Sequence, residues 1–142
     1  NQEAATAETI TDGWLHTGDV AKIDEHGFIF IVDRVKDMVL RGGENVYCSE
    51  VEAVLHRLDE IAVCSVFSVP DERLGEEVGV SIYLKPGVGM SADSVREFCL
   101  AHMAKHKSPR YIWFSPKPLP RNASGKFLKR ELRDSLNVTD AV

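Results

Sequence analysis

Lys36–Leu58, KDMVLRGGENVYCSEVEAVLHRL, changes character twice within 23 residues. DMVLR reads as a short strand and GGEN as a glycine-rich turn. A helix follows. Val51, Val54, Leu55 and Leu58 fall at i, i+3, i+4 and i+7 and make one apolar face. Ser49 is placed to N-cap that helix, with Glu52 three residues on completing a capping box. Strand, tight turn and helix in so short a run already point to mixed α and β structure.

Working outward, DVAKIDEHGFIFIVDR upstream reads as two strands joined by a Glu-His-Gly turn. Downstream, IAVCSVFSV is a mostly buried strand that Pro70-Asp71 should stop. EVGVSIYLK alternates: Val78, Val80, Ile82 and Leu84 point one way, and Gly79, Ser81 and Tyr83 the other, a strand with one face on a core. A second helix is expected from about Ala92 to Lys105, with Val95, Phe98, Cys99 and Met103 inward. YIWFS is a further strand, and PKPLPRNASGK is a proline-rich loop. A last short helix carries Leu128, Leu132 and Leu136. The connections are too short for repeated parallel crossovers. The expected fold is therefore α+β: a small, mainly antiparallel sheet with about three helices packed on it, preceded by a β-hairpin.

Composition narrows the function classes. Of 142 residues, 44% are hydrophobic and 27% charged, as in ordinary globular domains. The longest apolar run, Ile61 to Val69, is too short to span a bilayer. Cys48, Cys64 and Cys99 form no C-x-x-C pair, which argues against a disulfide framework or a zinc site and fits a reducing, cytoplasmic setting. No signal peptide is visible, and the abrupt opening NQEAATAETITDG suggests a piece of a longer protein. Net charge is −5, unevenly spread: Lys105–Asp134 holds nine basic residues against two acidic ones. A basic end on an acidic body reads either as a face for a phosphate-bearing ligand or as a solvated basic helix face, and it suits a long polyanion less, because the acidic body would repel one.

Individual residues divide less cleanly. SGK at 124–126 fails as a phosphate loop of the G-x-x-x-x-G-K-[ST] type, because Pro120 stands where the first Gly belongs and Phe127 where Ser or Thr belongs. Lys126 reads either as a surface lysine at a helix start or as a mounted ammonium. A cation there sits against the helix dipole, which tilts the reading toward a task. His102 and His106 share a helix face, but two ligands do not define a metal site. His16 has no visible nucleophile beside it. Asp19 ends a turn entering a strand. Asp33, Arg34, Lys36 and Asp37 read as an exposed charged junction or a hinge, and Gly42-Gly43 lets backbone approach a ligand.

Taken in order, DGWLHTGD, DRVKDMVLRGGENVYCSEVE and LPRNASGKFLKREL resemble three motifs of the adenylate-forming superfamily, which includes acyl-CoA synthetases, firefly-luciferase-like enzymes and peptide-synthetase adenylation domains. The likeness runs from Asp12 to Leu136. It implies a two-step reaction in which a carboxylic acid and ATP, supplied with Mg2+, give an acyl-adenylate and pyrophosphate, and coenzyme A then takes the acyl group and releases AMP. Residues 1–35 would be the end of a large N-terminal domain and 36–142 a mobile C-terminal domain. By resemblance, Asp19 binds the ribose hydroxyls and Arg34 contacts the nucleotide. Lys36 is the hinge, and Lys126 bridges the attacking carboxylate and the α-phosphate. Gly42, Gly43 and Glu44 line the thiol tunnel. Cys48 stands where the family often has Pro, and Asp33 where Gly is frequent. The resemblance implies a fatty or aromatic acid as substrate and no metal bound by this chain. A carrier-protein phosphopantetheine as acceptor, or a non-catalytic nucleotide-binding or interaction module, are the alternatives.

Overall fold

A computed structural model describes residues 2–142. The chain divides into two compact units, one ending at Lys36 and one spanning Asp37–Val142. The first holds helix α1 (Glu3–Thr9), a short ladder of β1 (Ile10–Thr11) and β2 (Trp14–Leu15), and an antiparallel hairpin of β3 (Asp19–Ile23) and β4 (Ile29–Arg34). The hairpin turn is built as its sequence suggests: Asp24 Oδ1 accepts the N–H groups of His26 and Phe28, and Gly27 takes φ +84°. Helix α1 was not foreseen.

The second unit is built on a five-stranded sheet: β5 (Val39–Arg41), β6 (Glu44–Val46), β7 (Ile61–Asp71), β8 (Gly75–Leu84) and β9 (Tyr111–Phe114). β8 is central. β7 pairs antiparallel along one edge of it; β5 meets the other edge at Gly75, and β9 runs parallel to it from Gly79 to Ile82. The sheet is mainly antiparallel, and the single parallel pairing is made by helix α3 (Ala92–His102) crossing between β8 and β9.

Helix α2 (Cys48–Leu55) and α3 cover one face, packing Val51, Leu55, Val95 and Cys99 onto Val66, Val78, Val80, Ile82 and Ile112. The other face gathers Phe67, Val69 and Trp113 under Leu119 and Leu132, the latter from helix α4 (Lys129–Ser135). β8 is thus buried on both sides, not one. Small residues make this possible: a Cβ at Gly79 would lie 2.5 Å from Val69 Cγ2. Alternation of large apolar with small residues, not with charged ones, marks a strand sandwiched between layers.

Other differences are local. α2 begins at Cys48 with Tyr47 in the cap position, so Ser49 lies inside the first turn and does not cap. Glu52 instead reaches the sheet, accepting the Val66 N–H at 2.8 Å and pairing with Lys129 at 3.0 Å. β7 does not stop before Pro70; the proline is exposed and tolerated near the strand end, on an edge of the sheet. α3 ends at His102, followed by a 3₁₀ turn at Lys105–Lys107. Among the described residues, no helix is long and apolar enough to cross a membrane.

Candidate functional site

In the first unit, Asp19 and Arg34 are register partners at the open end of the β3–β4 hairpin. Arg34 Nε lies 2.7 Å from Asp19 Oδ1, with the two side chains half and one-quarter exposed. Antiparallel pairing alone places these two expected nucleotide contacts side by side.

In the second unit, Gly42 and Gly43 are the two central residues of the β5–β6 hairpin, with φ +57° and +89° and Arg41 opposite Glu44. Two successive positive φ values belong to the tight turn whose twist matches the strands, and glycine is the residue that enters it without strain. A Cβ on Gly42 would also lie 3.0 Å from Leu74 Cδ2, while around Gly43 there is open space. Glu44 is exposed beside it.

This turn is anchored by an ion pair that the sequence reading missed, between the partly exposed Arg41 and a buried Glu77. Arg41 grips Glu77 with two bonds, Nε to Oε2 at 2.6 Å and Nη2 to Oε1 at 2.9 Å. Glu77 is only 1% exposed. Its hydrogen bond, outweighing the cost of burial, raises the Arg41 pKa further above its ordinary value. Arg110 stands 3.5 Å from Glu77 Oε1 and 3.4 Å from Asp71 Oδ2. Leu74 N–H and Arg73 N–H both donate to Asp71 Oδ1, and the first of these is the main reason the Asp71 pKa lies below the usual carboxylate value.

Lys126 stands three residues before α4, not at a helix start, so the dipole argument does not apply to it. Within the proline-rich loop expected here, its segment is a closed hairpin. Arg121 bridges Phe127, the Asn122 N–H donates to Lys126 O at 2.9 Å, and Gly125 N–H donates to Asn122 O at 2.9 Å. Gly125 has φ +82°. The Arg121 guanidinium lies 3.9 Å from the Phe127 ring centroid and donates to Gly125 O. The ammonium of Lys126 is exposed, and no hydrogen bond or ion pair within the described residues engages it.

Lys129 has the opposite fate. Its ammonium is held by Glu52 and by Val66 O at 2.9 Å, so a charged pair covers the unpaired edge of β7 at Val66. Burial disfavours the Lys129 charge, but Cys48, Glu52 and Asp37 nearby outweigh it and raise its pKa. Lys36 is exposed at the boundary of the two units. His102 is exposed and stacks on Phe98. Cys64 and Cys99 are buried thiols with pKa pushed up to about 12 and about 11 by desolvation, which keeps them neutral. A cleft of about 620 Å³ opens between Trp113, the segment Ser115–Pro120 and α4, and contains none of the expected site residues.

These features coincide with one family. The model of the AMP-binding enzyme C-terminal domain matches residues 50–126, more than half of the chain, and the chain belongs to that family. A relative from Rhodococcus jostii strain RHA1, 3-[(3aS,4S,7aS)-7a-methyl-1,5-dioxo-octahydro-1H-inden-4-yl]propanoyl:CoA ligase, is 50% identical over 131 residues, covering 92% of this chain and 25% of the relative. A fatty acid–[acyl-carrier-protein] ligase of Streptomyces coeruleorubidus is 46% identical over 129 residues, covering 91% and 25%. Among solved structures, o-succinylbenzoate CoA synthetase from Bacillus subtilis, in complex with its acyl-adenylate intermediate, superposes with TM-score 0.85 at 34% identity, over 96% of this chain and 28% of that one. The chain spans about a quarter of the length of the relatives it matches.

Proposed function

We propose that this chain is the C-terminal part of an ATP-dependent acid–thiol ligase, an acyl-CoA synthetase. In the first step the carboxylate oxygen of the acid attacks the α-phosphorus of ATP, the bond to the pyrophosphate oxygen breaks, and acyl-adenylate and pyrophosphate result. In the second, the thiol of coenzyme A attacks the acyl carbon, AMP leaves, and the thiol proton is lost. The observation that carries this reading is Lys126: an exposed ammonium, bound to nothing within the described residues, on a loop fixed by hydrogen bonds. In step one two anions must approach while charge builds at phosphorus. An ammonium held between them lowers that barrier, as preorganised charges do elsewhere, by several kcal/mol.

The other roles follow. Asp19 accepts hydrogen bonds from the ribose hydroxyls, for which a carboxylate with two oxygens is suited, and Arg34 contacts the nucleotide. Lys36 is the hinge, a role supported by the unit boundary after it. The Gly42-Gly43 turn, with Glu44, lines the path of pantetheine in the second step. Residues up to about 35 finish a large N-terminal domain, the partner against which 36–142 moves. Mg2+ enters with ATP; among the described residues no cluster of three or more His, Cys, Asp or Glu is placed to hold it. Three buried free cysteines fit a cytoplasmic setting.

The acid is a fatty acid or a ring-bearing carboxylic acid such as the relatives' names describe. A carrier-protein thiol as acceptor is the second reading, favoured by the similarity to the Streptomyces ligase. The test supplies the full-length protein with ATP and hexadecanoate, 2-succinylbenzoate or the indane-propanoate acid, with either CoA or a phosphopantetheinylated carrier protein. Acyl-CoA and AMP are expected. Thioester on the carrier alone would favour the second reading, and no thioester on either acceptor would refute ligase activity. The 142-residue chain by itself should release no pyrophosphate from ATP and these acids.

A further inference from the structure

We propose that Asn122 is the positioning residue for Lys126, the group that fixes where the reactive ammonium stands during adenylation. The inference rests on the role proposed for Lys126 above. Both backbone polar groups of Lys126 end on this one residue: its N–H donates to Asn122 Oδ1 at 2.9 Å, and its carbonyl accepts from the Asn122 N–H at 2.9 Å. The same Oδ1 accepts the Ser124 N–H at 3.0 Å, and the Asn122 carbonyl accepts the Gly125 N–H at 2.9 Å. Four hydrogen bonds therefore converge on Asn122 and define the loop.

The chemistry explains the residue type. A side chain two atoms from the backbone carbonyl plane, ending in a planar acceptor, can close such a turn, which is why Asn and Asp lead at these positions. Lys126 needs this help. Its ammonium rides on a long stem with about 2 kcal/mol of rotamer entropy. Fixing the Cα and its flanking peptides narrows the volume the ammonium samples by removing the backbone's contribution. Arg121, clasping Gly125 O and lying over Phe127, holds the opposite side of the loop. Asn122 is exposed and takes no part in either core cluster, so its replacement should disturb the loop and not the fold.

The test uses the full-length enzyme and an acid it turns over, with Asn122→Ala, Asn122→Asp and, as control, Lys126→Ala. Pyrophosphate release reports adenylation, supplied acyl-adenylate plus CoA reports thioester formation, and a thermal melt reports folding. In Asn122→Ala, the kcat of adenylation should fall on the order of 10- to 100-fold, as for a catalytic group displaced by up to about 1 Å. KM for ATP, thioester formation and the melt should stay close to those of the unaltered enzyme. Asn122→Asp keeps the Oδ1 acceptor and should recover most of the lost rate. Unchanged adenylation in Asn122→Ala alongside a collapse in Lys126→Ala overturns the positioning role and leaves the lysine's role standing. Unchanged adenylation in Lys126→Ala overturns the reading beneath it. An Asp variant as slow as Ala, or a joint fall in both half-reactions with a lowered melt, also overturns the proposal.

Discussion

Replacing Arg41 with Ala should unfold the second unit at a much lower temperature, because it strands a buried carboxylate. Glu77 is 1% exposed and both its oxygens are taken by Arg41, at 2.6 and 2.9 Å. Removing one partner of a buried pair costs about 3–5 kcal/mol, chiefly the penalty of the charge left behind. Arg110, 3.5 Å from Glu77 Oε1 and half-exposed, offsets part of this, so the low end, about 3 kcal/mol, is expected. For a unit of this size roughly 4 °C or more is lost per kcal/mol, giving a fall of at least about 12 °C. Tryptophan fluorescence of the 142-residue chain reads it selectively: Trp113 is 5% exposed and Trp14 77%, so the emission shift on unfolding comes mainly from the second unit. Replacing both partners by apolar residues of similar volume, Arg41→Met with Glu77→Leu, should recover most of the loss, because no charge is then buried. A single-variant change below about 0.5 kcal/mol, typical of surface sites, would refute the reasoning. So would a double variant no better than the single one.

Other outcomes are equally specific. Lys36→Pro fixes φ near −65° at the unit boundary and removes an N–H, so it should slow thioester formation from supplied acyl-adenylate more than it slows adenylation; an unchanged thioester rate would remove Lys36 from the hinge. Asp71 has a folded-state pKa below its unfolded value, so its contribution to stability is present above the unfolded carboxylate value of about 4 and is lost as pH falls from there through the lower folded-state pKa. Urea midpoints measured from pH 7 down to 3 should therefore drop less steeply in Asp71→Asn than in the unaltered chain, and parallel slopes would contradict the linkage.

Much of this architecture was legible because periodicity and turn chemistry are local. The apolar face of α2, the alternation in β8 and the Glu-His-Gly turn all read directly from neighbouring residues. The N-cap of α2 did not, because Glu52, which looks like a capping partner, is drawn to Val66 and Lys129 across 14 and 77 positions of sequence. Arg41 and Glu77 were invisible for the same reason: a pair 36 residues apart carries no local pattern. The Lys126 loop was a missed opportunity. Asn122 followed three residues later by Gly125 is a turn signature in its own right, Asn at the first position and Gly at the fourth, which the description of the run as a proline-rich loop does not use. The exposure of Phe28, Ile29, Phe30 and Ile31 in succession has no explanation within the hairpin that carries them.

The central claim is that Lys126 serves one half-reaction and not the other. The direct measurement is single-turnover kinetics of the full-length Lys126→Ala enzyme, with acid and ATP in one experiment and preformed acyl-adenylate and CoA in the other. Adenylation should collapse by on the order of 100-fold or more, the loss of a preorganised charge at the reacting phosphate, while thioester formation keeps its rate. Equal loss of both, or adenylation at the unaltered rate, would contradict the account.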